Sequence, residues 1–308
     1  VLECRGLRKL YGQRVAVDDV SFTIAAGERF GLLGPNGAGK TTTISMLCGL
    51  LVPDGGTVTI NDAPGGSMEA KASIGYVPQD LALYLDLTAH ENLEFFGQLY
   101  GLKGKRLKAR IASVLELVGL TGRGGDKVGT YSGGMKRRAN IAAGLLHEPQ
   151  VLILDEPTVG VDPQSRNSIL DTVGSLGIAV LYTTHYMEEA AKLCQRVGII
   201  DDGRLIALGT PDALVSEHGG QDRVRLTCGG ADADEVTALA DACRTLPGVD
   251  DVVVSEDRVE LRTSHGAGTL PSLVELAAAR KVVLNGIEVL APDLEQVFLN
   301  LTGKELRD

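Results

Sequence analysis

No two of the five cysteines (Cys4, Cys48, Cys194, Cys228 and Cys243) are spaced as C-x-x-C. Their scatter argues against a zinc site or a disulfide framework and fits a reducing cytoplasm. Positive charge is not in excess. The formal net charge is −10, which argues against a surface that coats nucleic acid. The first residues lack the apolar core of a signal peptide, and nowhere is there an uninterrupted apolar run of membrane-spanning length. Work at a membrane would have to come from the side, through a partner. Tryptophan is absent and aromatics make up 4% of the chain. What remains is ordinary for a globular protein: 44% hydrophobic and 23% charged among 308 residues, enough for a large domain and a small one.

The informative stretch is Gly-Pro-Asn-Gly-Ala-Gly-Lys-Thr-Thr at residues 34–42. Gly34, Gly39, Lys40 and Thr41 satisfy G-x-x-x-x-G-K-[ST]. A short apolar run, 30–33, precedes the loop. Ile44, Leu47 and Leu51 follow it at helical spacing, so a helix is expected over 42–51. Glycines let successive N–H groups turn toward an anion, and the helix adds its positive end. Lys40 would face the β- and γ-phosphates and Thr41 would offer a hydroxyl to Mg²⁺. The alternative, a plain glycine turn, leaves the Lys-Thr pair unexplained.

Upstream, residues 1–30 read as antiparallel strands, at 1–7, 15–17 and 20–24, with Tyr11 at a turn where its ring could stack on adenine or simply be a turn tyrosine. Gln79 ends a short strand at 74–80; it is either a loop glutamine or an amide reaching Mg²⁺ and water. Residues 88–120 are helical by period and carry a basic cluster that reads by default as a solvated face. Ser132-Gly133-Gly134 leads into a helix expected from about 136, a second anion site on the same chain. Residues 151–154 read as a doubly buried strand ending in Asp155 and Glu156. At that carboxyl edge Asp155 would hold Mg²⁺ through water, and Glu156 would orient or deprotonate the attacking water. Another buried strand, 178–182, leads to His185, a candidate γ-phosphate contact although a lone histidine is more often structural.

Together these pieces resemble the ATP-binding subunit of an ATP-binding cassette (ABC) transporter over residues 1 to about 215. The resemblance identifies the Walker A loop 34–42 (with Asn36, Gly37, Ala38 and Thr42 as further nucleotide contacts), the Q-loop Gln79, the signature Ser132-Gly133-Gly134-Met135, the Walker B acids, the D-loop Asp162 and the switch His185. Tyr131 and Val161 depart from the leucines of many members. The Gly-Met-Lys-Arg-Arg and Thr-Thr-His-Tyr-Met-Glu-Glu wording and residues 220–308, read as βαββαβ plus a helix, resemble ABC-2 type drug- and antibiotic-resistance exporters.

The resemblance implies an α/β P-loop NTPase core with an antiparallel β-subdomain and a helical subdomain (about 86–146), occupying residues 1–218. A small α+β accessory domain would follow at 219–308. It further implies ATP and Mg²⁺, a head-to-tail homodimer with ATP between one Walker A loop and the other chain's signature, a separate integral membrane permease, and a place at the cytoplasmic face of the membrane. No nucleic-acid partner is expected. Import instead of export stays open, because nothing in the catalytic core encodes direction. Ribosome- or DNA-acting relatives fit less well, since there is one cassette and no inserted coiled coil. A plain P-loop kinase leaves the signature unexplained.

Overall fold

The computed structural model describes residues 1–230, 232–264 and 266–303. They divide into two units, with the boundary at Pro211/Asp212 rather than at the 218/219 boundary expected from sequence. The helix Pro211–His218 therefore falls almost wholly in the second unit.

The first unit is built on a six-stranded sheet in the order Arg204–Gly209, Arg196–Asp201, Arg29–Leu33, Ala179–Thr184, Val151–Asp155, Ile74–Val77. All neighbours are parallel except the first pair. Val151–Asp155 and Ala179–Thr184 are buried at every residue, as strands covered on both faces must be. The registers set the site. Leu33 pairs with Thr184, Asp155 with Thr183, and Val77 with Leu154. The residues that follow, Gly34, Glu156, His185 and Gln79, thus all leave the same carboxyl edge, where open α/β sheets bind ligands.

A second, antiparallel sheet runs Arg14–Ile24, Leu2–Tyr11, Gly55–Ile60, Ala63–Pro64. It shares a core with the first; Phe22 stacks on Phe30, centroids 4.9 Å apart. The hairpin between its first two strands presents Tyr11 opposite Arg14.

The helices Ala89–Leu99, Gly104–Leu117 and Gly133–Leu145 form the helical insertion. Thr88 and Glu91 make a reciprocal capping box at the first. Leu107, Ile111, Val114 and Leu115 bury one face of the second.

The second unit carries an antiparallel sheet, Val249–Ser255, Arg258–Thr263, Asp222–Gly229, Val283–Leu290, with helices Ala233–Cys243 and Gly266–Ala279, then Leu294–Thr302. Val224, Leu226 and Cys228, alternate residues of one strand, point into a core with Val236, Leu239 and Leu273. On the same strand, Arg225 pairs with Glu260 and Glu288. The αβ order is the one expected from the sequence.

Candidate active site

The strand Arg29–Leu33 ends at Gly34, which tolerates no side chain: a Cβ there would lie 2.2 Å from the carbonyl oxygen of Ile200. The loop then turns back and the helix Lys40–Leu47 begins. Lys40 is 4% exposed. Its Nζ donates to the backbone oxygens of Gly34 (2.8 Å) and Pro35 (3.2 Å) and lies 2.9 Å from Oε1 of Glu156. A buried ammonium needs such partners. Behind the loop, the Asp202-Gly203 turn braces it, with the Gly203 N–H donating to the Ala38 oxygen at 3.0 Å.

Thr183 organises the two acids. Its hydroxyl donates to Oδ1 of Asp155 at 2.8 Å and accepts from the Glu156 N–H at 3.0 Å. Burial pushes the Asp155 acid above its ordinary value, and hydrogen bonds from Thr183 and Thr41 pull part of the way back. Glu156 has φ 46°, a left-handed conformation uncommon for glutamate. That turn places its carboxylate between the Lys40 ammonium, at Oε1, and the His185 ring, with Nδ1 3.2 Å from Oε2. The strain is local and held by Thr183, as strained residues at functional sites usually are.

A cleft of about 470 Å³ opens over these groups. Of the expected residues, Tyr11, Asn36, Gly37, Gly39, Lys40, Thr41, Thr42, Gln79 and Glu156 line it. Gly34 and Ala38 act from behind through the backbone, Asp155 lies buried beneath, and His185 reaches the site through Glu156. A larger cavity of about 650 Å³ between the helices Ala89–Leu99 and Gly104–Leu117 contains none of these residues.

Ser132, Gly133, Gly134 and Asp162 do not line the cleft. They form a separate helix start. Ser132 caps the helix, its Oγ accepting from the Met135 N–H at 3.3 Å, so the helix begins at Gly133 rather than near 136. Gly134 must be glycine, since a Cβ there would meet Ser165 at 2.2 Å. Asp162 caps the neighbouring helix Pro163–Gly174, and the donated N–H groups hold its acid below the usual carboxylate range. Tyr131, one of the departures noted above, is buried, with its hydroxyl donating to the Arg123 oxygen at 2.7 Å.

Sequence reading missed three residues here. Arg14 lines the cleft opposite Tyr11. Thr183, just past the strand expected at 178–182, belongs to the observed strand Ala179–Thr184 and carries no signal of its own. Arg137, buried on the helix after Ser132, donates to the backbone oxygens of Gln79 (2.6 Å) and Pro78 (3.2 Å). Its place two residues after Met135 was the only available signal.

A glycine loop between buried strand and helix, a buried lysine, and two acids at the carboxyl edge of a parallel sheet define a P-loop nucleoside triphosphatase. The sequence model of the ABC transporter family matches residues 17–159. A linearmycin resistance ATP-binding protein of Bacillus subtilis (strain 168) is 50% identical, covering 100% of both chains. A Nod factor export ATP-binding protein I of Rhizobium sp. (strain N33) is 39% identical over 99% of this chain and 98% of its own. A solved ATP-binding subunit of an ABC transporter superposes with TM-score 0.64 and 31% identity, over 71% of this chain and 93% of that one. A dimeric ATP-binding cassette in a post-hydrolysis state with ADP and Pi gives TM-score 0.62 and 25% identity, over 68% and 98%. The chain belongs to the ATP-binding subunits of ABC transporters, and it is an ATPase.

Proposed function

We propose that this chain powers an exporter of antibiotic-like or lipid-like small molecules, hydrolysing ATP in the cleft between Tyr11 and Glu156. The observation that carries the catalytic reading is Glu156, with one oxygen on Lys40 at 2.9 Å and the other 3.2 Å from His185 at the cleft wall. The adenine stacks on Tyr11 and the triphosphate lies along the N–H groups of residues 36–42. Lys40 exchanges its loop carbonyls for β- and γ-phosphate oxygens. Water attacks the γ-phosphorus, Glu156 takes a proton from it, and the bond to the bridging oxygen breaks to leave ADP and phosphate. His185 holds the γ-phosphate and Gln79 orients the water.

The donor set suits Mg²⁺: a Thr41 hydroxyl hydrogen-bonded to the buried carboxylate of Asp155, an acid that burial holds above its ordinary value. Thr41, Asp155 and Gln79 would hold the ion, which neutralises charge on the phosphates when bound.

Ser132, Gly133, Gly134 and Asp162 lie outside this cleft, which supports their serving the ATP of a second copy in a head-to-tail homodimer. Loss of the γ-phosphate then releases the dimer, an order–disorder switch. Among the described residues no helix is long and apolar enough to cross a membrane. We therefore assign transport to a separate integral membrane permease, with this chain peripheral on its cytoplasmic face. Exposed Leu81, Tyr84 and Leu85, just after Gln79, with Phe95 and Leu99 on the helical insertion, support a permease contact beside the Q-loop. The export direction rests on relatives named for linearmycin resistance and Nod factor export.

The test is extraction from native membranes in mild detergent with non-hydrolysable ATP. A stoichiometric multi-spanning protein should accompany the chain. Ribosomal proteins or DNA with no integral membrane partner would contradict the transport reading and leave the ATPase chemistry intact.

A further inference from the structure

Glu189 is a carboxylate that the mechanism above does not use, yet it is only 3% exposed. One of its oxygens, Oε2, accepts three hydroxyls: Tyr182 at 2.7 Å, Thr158 at 2.8 Å and Thr184 at 3.2 Å. The other, Oε1, lies 3.4 Å from Nε of Arg166 without hydrogen-bond geometry. Ionised carboxylates are rarely buried unless such partners repay their lost hydration.

These partners converge on one residue from both sides. Thr184 precedes His185, and its hydroxyl, besides reaching Glu189, accepts the Tyr186 N–H at 2.9 Å. Tyr186 follows His185, and the Arg166 guanidinium lies over its ring, 4.5 Å from the centroid. The His185 ring rests against Tyr186, centroids 4.2 Å apart. Arg166 itself sits in the first turn of the helix capped by Asp162, its N–H bonded to the Asp162 oxygen.

We infer that Glu189 is a positioning residue for His185, tying the residues on either side of the histidine to the helix that Asp162 begins. The inference rests on the reading of His185 as a γ-phosphate contact. It adds a route by which a shift of the Asp162 helix, on the dimer-facing side of that reading, moves His185 relative to Glu156. A displacement of about 1 Å at a reacting centre can cost up to about 100-fold in rate.

The test is steady-state ATP hydrolysis by the full chain carrying Glu189→Gln, His185→Ala, both, or Arg166→Ala. Glu189→Gln keeps an oxygen for the three hydroxyls and puts an uncharged amide NH2 where an oxygen faces Arg166. It should lower kcat on the order of 10-fold, with KM for ATP changed less than about 2-fold, and Arg166→Ala should do the same. In the His185→Ala background, Glu189→Gln should cause no further loss, because it acts through the histidine. Equal thermal unfolding temperatures for wild type and Glu189→Gln would tie the loss to positioning and not to misfolding. Wild-type kcat in Glu189→Gln, or the same fold-loss with and without His185, would overturn the inference while leaving the site reading in place. A wild-type rate in His185→Ala would overturn the site reading and the inference with it.

Discussion

Lys40 and Glu156 form a buried ion pair, Nζ to Oε1 2.9 Å, with side chains 5% and 7% exposed. On the proposed mechanism, the phosphate-binding cation and the base are therefore each other's partner. Lys40→Ala removes the charge-assisted hydrogen bonds to phosphate, worth about 1.5–3 kcal/mol. ATP affinity should fall about 10- to 100-fold by calorimetry. Affinity within twofold of wild type would show that the backbone loop alone holds the triphosphate.

Glu156→Gln keeps the shape of the side chain and an oxygen for Lys40, and loses the base. Turnover should drop about 10²- to 10⁴-fold, the usual worth of general base catalysis, with ATP binding retained. Undiminished turnover would remove Glu156 from the chemistry.

Gly34→Ala brings a methyl to 2.2 Å from the Ile200 oxygen, a backbone atom that cannot rotate away. Such overpacking costs about 1–3 kcal/mol. A lower midpoint in urea should accompany weaker ATP binding. An unchanged midpoint would mean that the strand Arg196–Asp201 yields at no cost.

Asp155 is raised above its unfolded value of 3.8 by burial. A raised acid binds its proton more tightly in the folded chain. Its contribution to stability is therefore largest below the unfolded pKa and declines as pH rises through the folded one. At neutral pH the ionised carboxylate costs stability, so Asp155→Asn should unfold at the wild-type temperature or above it. Its ATPase should fall about 10- to 100-fold, as for groups that orient a metal from its outer shell. Melting several degrees lower at pH 7 would contradict the sign argued here.

The glycine loop, the two acids and His185 were legible in the sequence because each signal is local: a buried strand followed at once by polar residues. What was not legible depends on pairings between distant segments. Nothing near Thr183 announces its role; only the parallel register that sets it beside Asp155 does. Arg137 reads as one of several basic residues until the helix is seen to run beneath Gln79. Periodicity also misled in one place. Leu51 extended the expected helix to 51, but it stops at Leu47, Gly49 turns left-handed and Leu50 stands 66% exposed. The glycines at 219 and 220 mark a break after the helix Pro211–His218, whereas the two units divide before it, at Pro211/Asp212.

The claim that joins both anion sites is that one copy's signature closes on the other copy's ATP. Light scattering on Glu156→Gln, with and without ATP, tests it most directly. The mass should double on adding ATP, and Ser132→Arg in the same background should keep it monomeric while leaving ATP bound. A Glu156→Gln chain that binds ATP yet stays monomeric, or dimers indifferent to Ser132→Arg, would contradict it.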